Sequence, residues 1–224
     1  MPRQTSQGKC YFCQQTFAKN GMAKHLAACE KRDLTRTPTG KSKMRKAKLL
    51  HLLVEGRDMP FYWLHVEVPA DASLKTLDSF LRHIWLECCG HLSAFTIDGR
   101  RYSIAPIGDF DEKGMSAKLG SVFKPDAKVF HEYDFGTTTD LTLKYVSERE
   151  ANCRGYDVTV LARNEPPEVK CTVCGKPATQ VCSGCIWNGE GWVCDGHARD
   201  HECGEDMLLP VVNSPRVGMC GYTG

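Results

Sequence analysis

Apolar and polar residues alternate in short runs along the middle of the chain, which is the pattern of half-buried β-strands. A turn with Asp58 and Pro60 follows the first run, and Asp98-Gly99 separates a later pair as a strong hairpin signal. The runs predict strands at 49–55, 61–68, 95–97, 101–104, 129–135, 141–146 and 157–162. Strands connected in this way predict a mainly antiparallel sheet.

One stretch has the period of an amphipathic helix instead. Ser73 is a favourable N-cap, and Gly90 is a favourable stop. The apolar positions between them are Leu74, Leu77, Phe80, Leu81, Ile84 and Trp85. The prediction is an α+β fold, an antiparallel sheet with one or two packed helices, flanked by the small metal-binding modules described next.

A metal-binding finger is predicted near the start of the chain. Cys10 and Cys13 form a two-residue-spaced knuckle, and His25 and Cys29 lie four residues apart, which places both on one helix face. The full spacing is close to that of a ββα zinc finger in which Cys replaces the last His. Phe17 is an apolar residue for its small core.

Four more pairs of ligand residues follow Pro166-Pro167. They are Cys171 with Cys174, Cys182 with Cys185, Cys194 with His197, and His201 with Cys203. Eight ligands suffice for two tetrahedral zinc ions, so about three ions are predicted for the whole chain. We favour a cross-brace, in which the first pair joins the third and the second joins the fourth. Sequential pairing is the alternative.

Four of the thirteen cysteines fall outside these patterns. Cys88 and Cys89 follow the predicted helix, where apolar burial is favoured over a role as catalytic thiol. Cys220 is interpreted as a buried thiol or a spare ligand, and Cys153 has no assignment. The polar start and the lack of an apolar run of about 20 residues predict a cytoplasmic protein with reduced cysteines and no membrane partner.

Charge is distributed unevenly along the chain. Residues 1–48 contain twelve Lys/Arg and two acids, so this segment is near +10, although the whole chain is only +2. Such a segment is typical of contact with a polyanion, DNA or RNA. The candidate contact residues are Lys19, Asn20, Lys24, Lys31, Arg32, Lys43, Arg45 and Lys46. A solvated tail that promotes solubility is the alternative.

The C-terminal pattern resembles MYND, B-box and related modules, which mainly bind protein. Six acids against four bases from residue 170 onward make this region a poor phosphate binder. Trp187 and Trp192 lie between its ligand pairs, and packing around the metal sites is favoured over contact with a partner.

The middle of the chain resembles the plasmid pRiA4b ORF-3-like family. The resemblance rests on the strand Trp-Leu-His-Val-Glu-Val-Pro-Ala at 63–70, the helix after it, Gly-His-Leu-Ser-Ala-Phe at 90–95, and Phe-His-Glu-Tyr-Asp-Phe-Gly at 130–136. It covers about 47–165 and implies an α+β domain of a largely uncharacterised family. Ser93 stands where the family has its second His, and 137–141 lacks the family's next motif.

These features divide the chain into a finger (1–31), a basic linker (32–46), a pRiA4b ORF-3-like domain (47–166), and a two-zinc module with a Gly-rich tail (167–224). The favoured function is a zinc-binding adaptor that contacts nucleic acid through the finger and protein through the C-terminal module. One alternative is an enzyme with a site near Tyr133, Asp134 and His91. The other is a purely protein-binding scaffold.

Overall fold

The computed structural model of the chain describes residues 6–34, 44–106 and 112–224. The first elements are β1 (Gln7–Cys10), β2 (Thr16–Ala18), α1 (Lys19–Ala28), α2 (Lys31–Leu34), β3 (Met44–Gly56), β4 (Trp63–Pro69), α3 (Leu74–Leu81), β5 (Ser93–Ile97), β6 (Arg100–Ser103) and β7 (Glu112–Gly114). They are followed by α4 (Leu119–Val122), β8 (Val129–Tyr133), β9 (Thr139–Arg154), β10 (Thr159–Asn164), β11 (Gln180–Cys182), β12 (Trp192–Val193), α5 (Asp195–Ala198) and β13 (Leu208–Pro210).

Ten of the described strands form one sheet, in the order β2-β1-β10-β4-β3-β9-β8-β5-β6-β7. Neighbouring strands are antiparallel, except that β7 lies parallel to β6 at one edge. A separate three-stranded sheet, β12-β11-β13, belongs to the C-terminal region. The α+β class predicted from the hydrophobic pattern is confirmed.

The longest ladder joins β3 to β9 and extends beyond the predicted strands. Its outer part pairs Met44 with Arg154 and Lys48 with Glu150, and a bulge follows at His51. The strand therefore includes 44–46, which the sequence assigned to the basic linker, and Lys31–Leu34 are helical. The rest of that linker, with Lys43, lies outside the described residues.

Helix α3 begins where the sequence predicts. The Ser73 hydroxyl accepts a hydrogen bond from the Thr76 backbone N–H at 3.2 Å, the usual N-cap contact. A π-helical turn, Arg82–Leu86, continues the helix and brings Trp85 into the main core. Among the described residues, no helix is both long and apolar enough to cross a membrane.

Strand β4 lies inside the sheet and is buried along its whole length. Leu64, Val66 and Val68 belong to the main core. The alternate positions face the other side, because successive side chains of a strand point to opposite faces. There Trp63 packs in a second core beneath the finger, and Glu67 pairs with Arg32 of α2.

The finger is built into the sheet through β1. This strand pairs with β2 on one side and with β10 on the other. Met22 and Leu26 of α1 pack with Trp63 in the second core. Gly8 is required at this contact, because a Cβ there would lie 2.3 Å from the Trp63 ring.

The C-terminal module also shares the body of the molecule. Val181 of β11 and Val217 of the tail are fully buried members of the main core. The Ser214 hydroxyl donates to the Trp85 carbonyl at 2.7 Å. The terminal modules are thus packed on a continuous central sheet.

A histidine pair lies buried between β3 and β4. His51 Nε2 and His65 Nδ1 are 2.8 Å apart. Burial, together with nearby positive charge, lowers the pKa of His51 to about 3. Burial likewise lowers the pKa of His65 to about 4. Both imidazoles are therefore neutral in the folded protein near neutral pH.

We predict that His51→Gln flattens the dependence of the unfolding free energy on pH. Unfolded histidines bind a proton below about pH 6.5, whereas the folded pair stays neutral down to about pH 4. The wild-type protein therefore loses stability as the pH falls through this window, and one histidine accounts for about 1.4 kcal/mol per pH unit.

Urea unfolding between about pH 7 and about pH 5, with metal content checked in each sample, measures the slope. His83 is exposed, so His83→Gln serves as the control for the loss of a histidine at the surface. An unchanged slope in His51→Gln would contradict the prediction.

Candidate metal centres

The N-terminal finger gathers its four predicted ligands. Cys10 ends β1, Cys13 lies in the following turn, His25 is in the last turn of α1, and Cys29 caps that helix. The four ligand atoms lie within 4.8 Å of one another. Cys13 Sγ and His25 Nε2 are 3.3 Å apart, and Cys10 Sγ and Cys29 Sγ are 4.0 Å apart. Phe17 stacks on the His25 ring at 3.9 Å and holds its orientation.

The C-terminal module has its eight ligands in the cross-braced grouping. One centre contains Cys171, Cys174, Cys194 and His197, and the other contains Cys182, Cys185, His201 and Cys203. In the first, His197 Nδ1 is 3.5 Å from the Cys171 and Cys194 sulfurs. In the second, Cys185 Sγ is 3.6 Å from His201 Nε2 and 3.5 Å from Cys203 Sγ. Sequential pairing is therefore not the arrangement found.

These spacings fit a tetrahedral metal ion. With Zn–S bonds of about 2.3 Å, neighbouring sulfurs of a tetrahedron lie about 3.8 Å apart. Sets of three cysteines and one histidine are typical of structural Zn²⁺, whose four positions are all filled by protein. Such a site leaves no position for a reacting water, so its chemistry is stabilisation of the fold.

Two thiols of the module are poised to bind metal. Burial would raise the pKa of Cys171, but the backbone N–H groups of Cys174 and Cys194 outweigh it and lower that pKa to about 6. Burial likewise opposes ionisation of Cys182, but a backbone N–H of Cys185 and the His201 side chain lower its pKa to about 7. Since metals bind the thiolate, these backbone donors prepare the ligands.

A further group of Cys and His was not predicted as a cluster. Cys88, Cys89, His91 and Cys220 bring their ligand atoms within 4.8 Å of one another. Cys89 and Cys220 are exposed, which corrects the interpretation of apolar burial for Cys89 and of a buried thiol for Cys220. The sequence signal was present: three unassigned cysteines and one nearby histidine make one complete ligand set.

Tyr133 and Asp134, the centre of the alternative enzyme site, are engaged within the fold. The fully buried Tyr133 donates its hydroxyl to Glu87 Oε1 at 3.0 Å. Asp134 accepts from the backbone of Gly136 at 3.0 Å and from Arg216 Nη2 at 2.8 Å. Burial opposes ionisation of Asp134, but Arg216 and the turn amides hold its pKa below the usual value. This is a turn with a satisfied carboxylate.

Three of the residues predicted to contact nucleic acid form ion pairs with acids of the chain, and one of these pairs, Arg45 with Asp71, lies at the surface. Arg32 is only 7% exposed and donates to Glu67 Oε1 at 2.7 Å, so its charge serves the fold. Lys19 pairs with Glu55 and donates to the Pro60 carbonyl. Arg45 pairs with Asp71 at 2.7 Å. The amino-acid composition gives the number of these charges but does not show which acids they pair with.

Four others lie at the surface. Asn20 and Lys24 are exposed on α1, four residues apart and therefore on one face of the helix. Lys31 in α2 and Lys46 in β3 are also exposed.

The two tryptophans of the C-terminal module have different surroundings. Trp192 packs partly buried against the main core, in agreement with the packing role favoured for both. Trp187 is 60% exposed, which corrects that role for this residue. It lies in a short 3₁₀ turn, Cys185–Asn188, that begins at a metal-ligand residue.

The chain has limited similarity to known proteins. No protein-family profile matches the chain, and no curated protein matches it. A solved structure, of a protein of unknown function (MM3350) from Methanosarcina mazei Go1, has a TM-score of 0.46 and 16% sequence identity. The match covers 58% of this chain and 75% of that one.

We predict that Cys171→Ser removes one metal ion and lowers the melting temperature, because ligation and folding are coupled in small modules. In the cross-brace, Cys171 and Cys194 bind the same ion, so the double variant Cys171→Ser/Cys194→Ser should lose only one ion. Cys182 belongs to the other centre, so Cys171→Ser/Cys182→Ser should lose two. Native mass spectrometry counts the ions, and differential scanning calorimetry follows unfolding.

Cys153→Ala is the control, since this thiol lies outside all four clusters. Unchanged metal content in Cys171→Ser would overturn the assignment. Loss of a second ion in the Cys171→Ser/Cys194→Ser variant, but not with Cys182→Ser, would instead indicate sequential pairing.

Proposed function

We propose that the chain is a zinc-stabilised adaptor whose C-terminal module binds protein. The three predicted clusters supply Zn²⁺-type ligand sets that are complete without water or substrate. We also propose that residues 47–166 form a pRiA4b ORF-3-like domain, supported by the order of β4, α3, β5 and the Tyr133–Gly136 turn. A reducing, cytoplasmic location fits thiols that serve as metal ligands.

The exposed Trp187 carries the protein-binding proposal. A large aromatic side chain gains much from burial, and Trp is enriched at the energetic centres of interfaces. The Gly189 N–H, donating to the Ile186 carbonyl at 3.0 Å, closes the turn that holds Trp187. Because Cys185 begins this turn, an ion at that centre would restrain the backbone that carries the tryptophan.

Other exposed apolar groups accompany Trp187 on the module. Val173, between the ligands Cys171 and Cys174, is 66% exposed, and Met207 is 38% exposed. Met207 packs beside the 182–185 knuckle, since its carbonyl accepts from the Ser183 N–H at 2.8 Å. Each of these side chains is an exposed apolar group next to metal-ligating residues.

Acidic side chains define the partner chemistry. Six acids of the module are exposed: Glu190, Asp195, Asp200, Glu202, Glu205 and Asp206. Complementary charge steers a partner and suppresses wrong ones. We therefore propose that the module binds a basic protein segment that contains an apolar anchor residue.

We predict that a displayed random-peptide library selected on the full chain yields peptides rich in Lys and Arg with an apolar anchor. Trp187→Ala should weaken binding of a selected peptide by at least about tenfold, equivalent to about 1.4 kcal/mol. Fluorescence anisotropy measures the affinity.

Tyr11→Ala is the matched control, since this finger aromatic is 49% exposed and lies outside the module. Equal binding by the wild-type protein and Trp187→Ala would contradict the proposal, as would peptides with no basic bias.

Nucleic-acid contact is a second candidate function. It is supported by Asn20 and Lys24 on one exposed face of the finger helix and by the basic composition of residues 1–48. Deleting residues 1–46 is an unsuitable test, because β1, β2 and the start of β3 belong to the large sheet. Single charge substitutions leave the sheet intact.

We predict salt-dependent binding of mixed DNA and RNA oligonucleotides, measured by fluorescence anisotropy with metal retained. If Lys24 meets a phosphate, Lys24→Gln lowers the slope of log K against log salt by about one. Lys75→Gln, an exposed substitution on α3, should leave the slope unchanged. No binding at low salt, or equal slopes for both variants, would exclude this contact.

A further inference from the structure

We propose that Cys88, Cys89, His91 and Cys220 form a fourth metal site, of the Zn²⁺-binding three-cysteine, one-histidine type, which ties the C-terminal tail to the central domain. The site is distinct from the three predicted centres and joins residues 88–91, which precede the C-terminal module, to Cys220 of its tail. It carries no catalytic role, because its four ligands complete a tetrahedron.

The ligand atoms have the spacing of the other centres. Cys88 Sγ and Cys89 Sγ are 3.4 Å apart, and Cys89 Sγ and Cys220 Sγ are 3.7 Å apart. His91 Nε2 lies 2.9 Å from Cys89 Sγ and 3.3 Å from Cys220 Sγ. The corresponding sulfur–sulfur distances in the cross-braced module are 3.5 and 3.8 Å.

The backbone around the first three ligands is fixed by its own contacts. The Gly90 N–H donates to Glu87 Oε1 at 2.6 Å, which closes the turn that contains Cys88 and Cys89. Arg82 Nη1 holds the same Glu87 side chain at 2.7 Å, and Arg82 also donates to the His91 carbonyl. These contacts hold residues 88 to 91 close together and do not require a metal ion.

The fourth ligand arrives from the tail in an unusual conformation. Cys220 has a φ of 46°, in the left-handed region that non-glycine residues seldom adopt. Val217 anchors the tail in the main core three residues earlier. A ligand bond gives Cys220 a reason for this backbone geometry, and such geometry clusters at functional sites.

A buried arginine, Arg216, balances part of the negative charge of the thiolate ligands. Arg216 is fully buried, and its Nη2 lies 3.3 Å from Cys88 Sγ as well as 2.8 Å from Asp134 Oδ2. Three thiolates around a divalent ion leave a net charge of minus one, which a neighbouring guanidinium stabilises. Asp134 Oδ2 is also 3.5 Å from His91 Nε2, so the carboxylate borders the site.

The surroundings distinguish this site from the others. Each of the three predicted centres has one buried ligand residue, whereas Cys88, Cys89, His91 and Cys220 are all partly or fully exposed. A disulfide between Cys89 and Cys220 is the competing use of the same sulfurs. It would need an oxidant, whereas metal binding needs only the reduced thiols.

The test is a count of metal ions in the full chain, purified under reducing conditions, supplied with Zn²⁺ and freed of excess by gel filtration. Native mass spectrometry should give four zinc ions in the wild-type chain. It should give three in Cys220→Ser and three in His91→Asn. Cys153→Ala, which removes a thiol outside the clusters, should keep four.

Reconstitution with Co²⁺ gives a second readout, because cobalt–thiolate absorption reports ligation directly. Cys220→Ser should lose part of this absorption while its far-UV circular dichroism stays that of the wild type. Three ions in the wild-type chain, or four in Cys220→Ser, would overturn the proposal. So would a Cys89–Cys220 disulfide in the reduced preparation, seen as a mass lower by two hydrogens.

This outcome is independent of the peptide-binding test. A wild-type chain with three ions and an intact Trp187 interaction would reject the fourth site alone. Four ions without peptide binding would reject the adaptor function alone.

Discussion

The arrangement of the C-terminal half depends on the burial of one arginine. Arg216 is fully buried, and its guanidinium contacts Asp134, the Thr137 carbonyl and the Thr139 hydroxyl. A buried charge without partners is expensive, and removing one partner of such a pair costs about 3–5 kcal/mol. The tail therefore reaches its place only together with the turn that follows β8, which fixes how the module sits on the sheet.

A second buried arginine, Arg32 of α2, forms a similar ion pair on another part of the sheet. Arg32 enters a nearly closed site, where Glu67 of β4 accepts from it and from Arg149 of β9. Near each end of the chain, one buried arginine thus pairs with a carboxylate of the central domain. Burying both charges of such a pair adds little to net stability, whereas removing one partner is costly. They determine the position of modules whose own cores are small.

The sequence predicted local features well, because they depend on short spacing. Ligand pairs two to four residues apart identified three Cys/His clusters that could hold a metal ion, and the Ser73 cap with its apolar period located α3. The turn at Asp134 could likewise be predicted, since Asp and Gly favour turns. These features need no knowledge of which distant segments meet.

The features that the sequence did not predict depend on contacts between distant segments of the chain. Cys220 joins ligands from 88 to 91 only because the tail returns to the central domain, and β1 joins β10 across most of the chain. Charge counts likewise do not show that Arg32 pairs with Glu67 or that Arg45 pairs with Asp71, because these partners lie far away in the sequence. The exposure of Trp187 likewise depends on how the module lies against the core.

Two observations about the fold bear directly on the proposed functions, namely the ion pairs formed by basic residues near the start of the chain and the exposure of Trp187. Lys19, Arg32 and Arg45 pair with acids of the fold, so part of the positive charge of the N-terminal segment is balanced within the chain. Trp187 shows the opposite, because a residue expected in a small core is found in solvent beside a metal ligand. An exposed tryptophan gains apolar burial when another protein covers it, and this is why the protein-binding role is proposed at that surface.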